Sequence, residues 1–158
     1  LDNAKTQESQ MNAGWVIPFI ILGGALQSCG AAMNGQLNKH VVNPWLASAI
    51  SFALITFFFA GASLIHPHPL PTQKDLSELP WWAVVGGLVG AVQVYAGLTL
   101  VNKVGTGPFV GFTVTAALIM SLLIDHFGWF RMQTHPLNAG RIVGGLLLVG
   151  GISLIAKF

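Results

Sequence analysis

The sequence predicts an all-α, polytopic membrane protein of five transmembrane helices, and three observations predict it. Of 158 residues, 53% are hydrophobic and only 8% charged, whereas a soluble domain carries about 25% charged residues. The mean hydropathy is +0.68, more apolar surface than a water-soluble domain of this size could hide. Long runs without Asp, Glu, Lys or Arg lie between Glu8 and Lys39, Lys39 and Lys74, Glu78 and Lys103, and Lys103 and Asp125. Each can hold the roughly 20 apolar residues that cross a hydrocarbon core. A shorter run, Arg141 to Lys157, keeps its charges at the ends, where they can snorkel.

The elements follow in order as helices over about 15–37, 44–65, 81–101, 107–126 and 140–157. Trp15, Trp45, Trp81 and Trp82 open three of these spans and Trp129 follows the fourth, at the interfacial depth that indole prefers. Before the first span, residues 1–14 form a polar tail. Met11 is a candidate native start, which would make residues 1–10 an extension. The span that follows is too long for a signal-peptide core, so no cleavage is expected. The run His66-Pro67-His68-Pro69-Leu70-Pro71, continued by Gln73 to Glu78, reads as a loop, because closely spaced prolines break helices. Gly105-Thr106-Gly107-Pro108 reads as the turn between the third and fourth spans. A β-barrel would need short alternating segments, and Phe57-Phe58-Phe59 and Gly144 to Leu148 are continuous runs instead. Residues 15–157 thus form one five-helix transmembrane domain.

Orientation is barely instructed. Five spans put the tail and the loops at 66–80 and 127–139 on one side, with Lys5, Lys74, Arg131 and Arg141; Lys39, Lys103 and Lys157 fall on the other. Insertion follows the difference in Lys and Arg across the membrane, and here that difference is one, or zero without the tail. Copies of such a chain can insert both ways up and meet about an axis in the membrane plane. The expectation is an antiparallel dimer.

The first span carries Gly23, Gln27, Ala31, Asn34 and Asn38 on one helical face. The third carries Gly86, Gly90, Gln93 and Gly97, and the fourth Thr113, Ala117, Ser121 and Asp125. Small-and-polar stripes of this kind line water-filled paths, but amides and hydroxyls also glue helices together. Gln27, Asn34, Gln93 and Ser121 are the cavity candidates. Gly86 with Gly90, Gly107 with Gly111, and Gly140 with Gly144 have the small-xxx-small spacing that lets helices approach, so Gly86, Gly90, Gly140 and Gly144 are packing candidates. Asp125, the lone acid near a span, either exchanges protons or forms a structural ion pair with Arg141.

Other chemistry is thinly represented. His66 and His68 have no third ligand close in sequence, so no metal site is expected. Cys29 is a small packing residue. There is no GxxxxGK[ST], HExxH or GxSxG pattern, which argues against an enzyme and against a nucleotide or other cofactor. Seven basic and five acidic residues are too sparse to hold nucleic acid.

Three stretches resemble a known family. They are Gly24-Ala25-Leu26-Gln27 through Asn34 and Leu37 to Pro44, Ala47, Ser51 and Phe52; Leu79-Pro80-Trp81-Trp82 with Gly86-Gly87 and Gly90-Ala91; and Ser121-Leu122-Leu123-Ile124-Asp125-His126-Phe127-Gly128 with Pro136, Arg141 and Gly144. Together they are similar to the YdcZ-like inner-membrane exporters of bacteria, within the drug/metabolite transporter superfamily. The resemblance implies a multi-pass protein of the bacterial inner membrane that pairs antiparallel, as a homodimer or with a close paralogue. The chain departs from the family at Ala116-Ala117, where Gly-Gln is frequent, and so lacks an amide on the fourth-span stripe. Related small multidrug exporters carry an acid in the first span where this chain offers Gln27, so a carboxylate-exchange mechanism does not transfer.

These readings converge on an expectation. The chain is a secondary-active transporter, an exporter of an unidentified small molecule, working by alternating access as an antiparallel homodimer in a lipid bilayer. A non-transporting assembly subunit and a passive channel are the alternatives.

Overall fold

A computed structural model describes the backbone of residues 2–66 and 68–158 and the side chains from Trp15 onward, except at position 67. The expected polar tail, residues 1–14, lies outside the residues whose side chains are described. The elements are α1 (Asp2–Val41), α2 (Pro44–Ile65), α3 (Gln73–Ser77), α4 (Trp81–Val104), α5 (Thr106–Phe127), a 3-10 turn at Trp129–Arg131, and α6 (Ala139–Lys157). No β-strand occurs among the described residues.

Among the described residues, five helical stretches are long and apolar enough to cross a membrane: Trp15–Val41, Pro44–Ile65, Trp81–Val104, Thr106–Phe127 and Ala139–Lys157. The shortest has 19 residues, which at 1.5 Å per residue gives about 28 Å, close to the hydrocarbon thickness. Large apolar side chains cover their outer faces: Phe57, Leu64, Val92 and Leu147 are each more than two-thirds exposed. In water that display would be untenable; against lipid it is what a span requires.

The ends of the helices are set by caps that composition does not reveal. The first span runs four residues beyond the expected end at 37, through Lys39 and His40, basic residues that suit the negative end of a helix. It stops where Val42 adopts a left-handed φ of 61°, costly for a β-branched residue. Asn43 then accepts from the amides of Trp45 and Leu46 at 3.0 and 3.2 Å, and Pro44 begins α2. The third span continues from the expected 101 to Val104.

Two expected loops are corrected. Within the stretch read as loop from His66 to Glu78, residues Gln73–Ser77 form α3. The hydroxyl of Thr72 accepts from the Asp75 amide at 3.3 Å, and the Asp75 carboxylate accepts from the Thr72 amide at 2.8 Å, a reciprocal cap that nucleates the turn. These bonds also hold the exposed Asp75 carboxyl below its ordinary pKa, since they favour the charged form: the Thr72 hydroxyl contributes most and the Thr72 amide next. The turn read at Gly105 to Pro108 contracts to Gly105, whose φ of 89° suits glycine. Pro108 falls in the first turn of α5, where its missing N–H costs nothing.

The molecule divides into two compact units, one up to Thr99 and one from Leu100. In the first, α1 packs on α2, Ala47 and Leu98 are fully buried, and the rings of Trp45 and Tyr95 lie 4.9 Å apart. In the second, α5 packs on α6, with Val101, Thr115 and Ile152 buried. A Cβ at Gly111 would overlap Cδ1 of Ile152 and stand 3.0 Å from its Cγ1, so the missing side chain is what lets these helices approach.

Candidate functional site

In the first unit the amide stripe of α1 divides into satisfied and unsatisfied members. Asn34 accepts from the hydroxyl of Ser51 on α2 at 2.9 Å. One turn later Asn38 donates through Nδ2 to the carbonyl of Leu98 on α4 at 2.9 Å. That bond fixes the amide's orientation and leaves its Oδ1 buried without a partner. Gln27 lies two turns before Asn34 and is exposed, as is Gln93 on α4; neither has a hydrogen-bond partner among the described residues. The structure therefore brings Asn34 to a helix contact and leaves Gln27 and Gln93 open.

Sequence reasoning missed Ser51 as the partner of Asn34. The signal was available, since Ala47 and Ser51 stand four residues apart and give α2 a small, polar face towards α1.

In the second unit Ser121 is exposed, and its hydroxyl donates to the carbonyl of Leu118 in its own helix at 2.8 Å. Thr113 bonds back in the same way to Phe109. Such hydroxyls have used their donor locally and retain acceptor lone pairs. Asp125 Oδ2 lies 3.6 Å from Nη1 of Arg141, both side chains about one-third exposed. The same guanidinium nitrogen donates to the carbonyl of His135 at 3.0 Å, and the His135 amide donates to the carbonyl of Asp125 at 2.8 Å. The ends of α5 and α6 are thus held together through the connection between them. His135 had no role in the sequence reading, because nothing in its spacing announces a backbone contact.

The glycines sort in the same way. Around Gly86, Gly90 and Gly144 no heavy atom of another part of the chain lies within 4 Å of where a Cβ would stand, and at Gly140 the nearest is Asn138 Oδ1 at 3.4 Å. The close approach occurs at Gly111 instead.

A shallow groove of about 700 Å³ at the end of α2 is lined by Phe59, Ser63, His66, His68 and Leu70, among others, and by none of the amides. No cluster of three or more His, Cys, Asp or Glu occurs among the described residues. Cys29 is exposed.

A family model described as "Putative inner membrane exporter, YdcZ" matches residues 15–154. Inner membrane protein YdcZ of Escherichia coli (strain K12) is 34% identical over 84 residues, covering 52% of this chain and 54% of that protein. The chain thus spans about half the length of the curated relative it matches. No solved structure matches it.

Proposed function

The chain belongs to the YdcZ family of multi-pass inner-membrane proteins, and from that premise we propose that it is a secondary-active exporter working by alternating access as an antiparallel homodimer. One observation carries the reading. Gln27 and Gln93 stand exposed on membrane-spanning helices without a hydrogen-bond partner among the described residues. A primary amide facing hydrocarbon with no hydrogen bond is costly, roughly 2–7 kcal/mol by transfer scales. Each amide therefore meets a second copy or a water-filled path. Near-equal counts of Lys and Arg on the two sides of the membrane support copies of opposite orientation, and a dimer of that kind presents similar faces inward and outward.

The cavity candidates are neutral amides and a hydroxyl, and the lone span-end acid, Asp125, lies beside Arg141. That composition suits a polar, hydrogen-bonding substrate better than a permanent cation, which would call for an unpaired carboxylate. In this reading the coupling is to a gradient, as in other secondary transporters. The Asn34–Ser51 bond favours a second reading, a membrane assembly subunit whose amides hold helices together.

Purified chain in proteoliposomes, assayed for saturable counter-transport across a panel of polar metabolites, separates the readings. An exporter gives saturable exchange that Gln27→Leu or Gln93→Leu abolishes while the dimer survives. Loss of the dimer with no flux in the parent protein supports the assembly role, and non-saturating flux a channel. On a Cys29→Ala background, Ser77→Cys and Lys103→Cys each label from both sides if orientation is mixed. One-sided labelling refutes the antiparallel arrangement.

A further inference from the structure

The connection from α5 to α6 is tied back to the helices by three hydrogen bonds, and one of these ties depends on a proton; within the connection His135 Nδ1 also lies 3.1 Å from the Gln133 carbonyl. His135 donates its amide to the Asp125 carbonyl at 2.8 Å, and Arg141 donates to the His135 carbonyl at 3.0 Å. Both acceptors are backbone oxygens, indifferent to pH near neutrality. The third tie differs: the Leu137 amide donates to Nδ1 of His126 at 3.2 Å. A backbone N–H can only donate, so Nδ1 must carry a lone pair. The bond therefore requires the neutral imidazole with its proton on Nε2. An imidazolium donates from both nitrogens, and a proton on Nδ1 would set donor against donor.

The bond sits at a joint. Leu137 immediately precedes Asn138, whose side chain accepts from the Arg141 amide at 2.9 Å and caps α6. His126 lies in the last turn of α5, two residues before the left-handed Gly128 that ends the helix, and its ring meets that of Phe127 at 4.8 Å. From these observations we infer that His126 is a proton-binding site whose protonation releases Leu137 and loosens the entry to α6. The proton comes from solvent onto Nδ1, and no other bond changes. The charged and titratable groups around this joint are Asp125 on the same helix, Arg141 from α6, His135 from the connection and Arg131 from the 3-10 turn. Of these, Asp125 and Arg141 face each other at 3.6 Å. The Arg141 contacts keep the two helix ends tied when Leu137 is released, so the response is local. This inference stands apart from the transport reading, because the bond exists whatever the protein moves.

The test uses the full chain in lipid nanodiscs, with nitrogen-15 labelling. At pH 8 the His126 ring shows the Nε2–H tautomer. Between pH 8 and pH 5, protection of the Leu137 amide, measured relative to intrinsic exchange, falls about five- to tenfold, as expected for one hydrogen bond. Its midpoint coincides with the titration of His126 and not of His135. In His126→Phe the protection is low and independent of pH, whereas His135→Gln retains the wild-type response. The Nδ1–H tautomer at pH 8 overturns the proposal, as does protection that does not change with pH or a fall that persists in His126→Phe. If His126→Phe does not fold, the tautomer and the matched midpoints in the native chain decide the matter alone.

Discussion

Gly111 offers the sharpest test of how the second unit is packed. A methyl group there would overlap Cδ1 of Ile152 and lie 3.0 Å from Cγ1, and Ile152 is itself only 5% exposed. Overpacking a filled contact costs about 1–3 kcal/mol, while replacing a helical glycine by alanine returns about 0.5–1 kcal/mol. Gly111→Ala should therefore destabilise by a net 0.5–2 kcal/mol or so on those scales. Ile152→Val removes the overlapping Cδ1 and alone costs about 0.5–1.5 kcal/mol. In the double variant the new methyl occupies the space the lost one vacates, so the two effects should fall short of their sum by about 1 kcal/mol or more. Reversible unfolding in mixed micelles, followed by circular dichroism, measures all four corners of the cycle. Gly144→Ala is the control, because no heavy atom from elsewhere in the chain stands within 4 Å of its Cβ position; it should be neutral or slightly stabilising. Additivity within about 0.3 kcal/mol would refute the claim that this glycine admits this isoleucine.

Two further outcomes follow from the loops. Gly128 has a φ of 64°, and a Cβ there would lie 2.6 Å from Thr134 Cγ2; Gly128→Ala should cost about 1–3 kcal/mol in the same assay, with no loss if Thr134 and the backbone can yield. The Thr72 bonds hold the folded Asp75 carboxyl below its ordinary pKa of 3.8, so its contribution to the α3 cap is fully present above that value and disappears as pH falls through the lower, folded one. Amide shifts of Thr72 and Asp75 followed from pH 6 to pH 2 should move together below pH 3.8, and Thr72→Val should bring the Asp75 titration back up towards the ordinary value.

The five spans were legible because a membrane helix advertises itself through length and the absence of charge, both of which survive without any knowledge of packing. Their ends were less so. Lys39 and His40 read as the start of a loop, yet charge at a helix C-terminus is favourable and the helix continues to Val41. The short α3 was missed although Thr72 and Asp75 have the spacing of a reciprocal cap, because the prolines before them dominated the reading. Glycine spacing marked several contacts equally. Which of them is filled depends on the rotation of each helix about its axis, and sequence spacing within one helix carries no information about its neighbour. Gly107 and Gly111 share one motif, yet only Gly111 meets a side chain.

The polar residues of the spans carry the remaining argument. A hydrogen bond made inside the chain removes the need for any other explanation of the residue that makes it. Asn34 has such a bond to Ser51, Ser121 donates to its own helix, and Asp125 is beside Arg141. Asn38 is half-explained: its nitrogen is bonded to Leu98 and its buried oxygen is not. Gln27 and Gln93 make no such bond among the described residues, and they are exposed where lipid would otherwise lie. Replacing Asn34 consequently perturbs α1 against α2 whether or not the protein transports anything, and flux lost in that variant is ambiguous. Replacing Gln27 or Gln93 removes no bond among the described residues, so a change in flux or assembly there reports on the second copy or on the substrate. Substitutions at those two glutamines are for this reason the ones that can separate transport from adhesion.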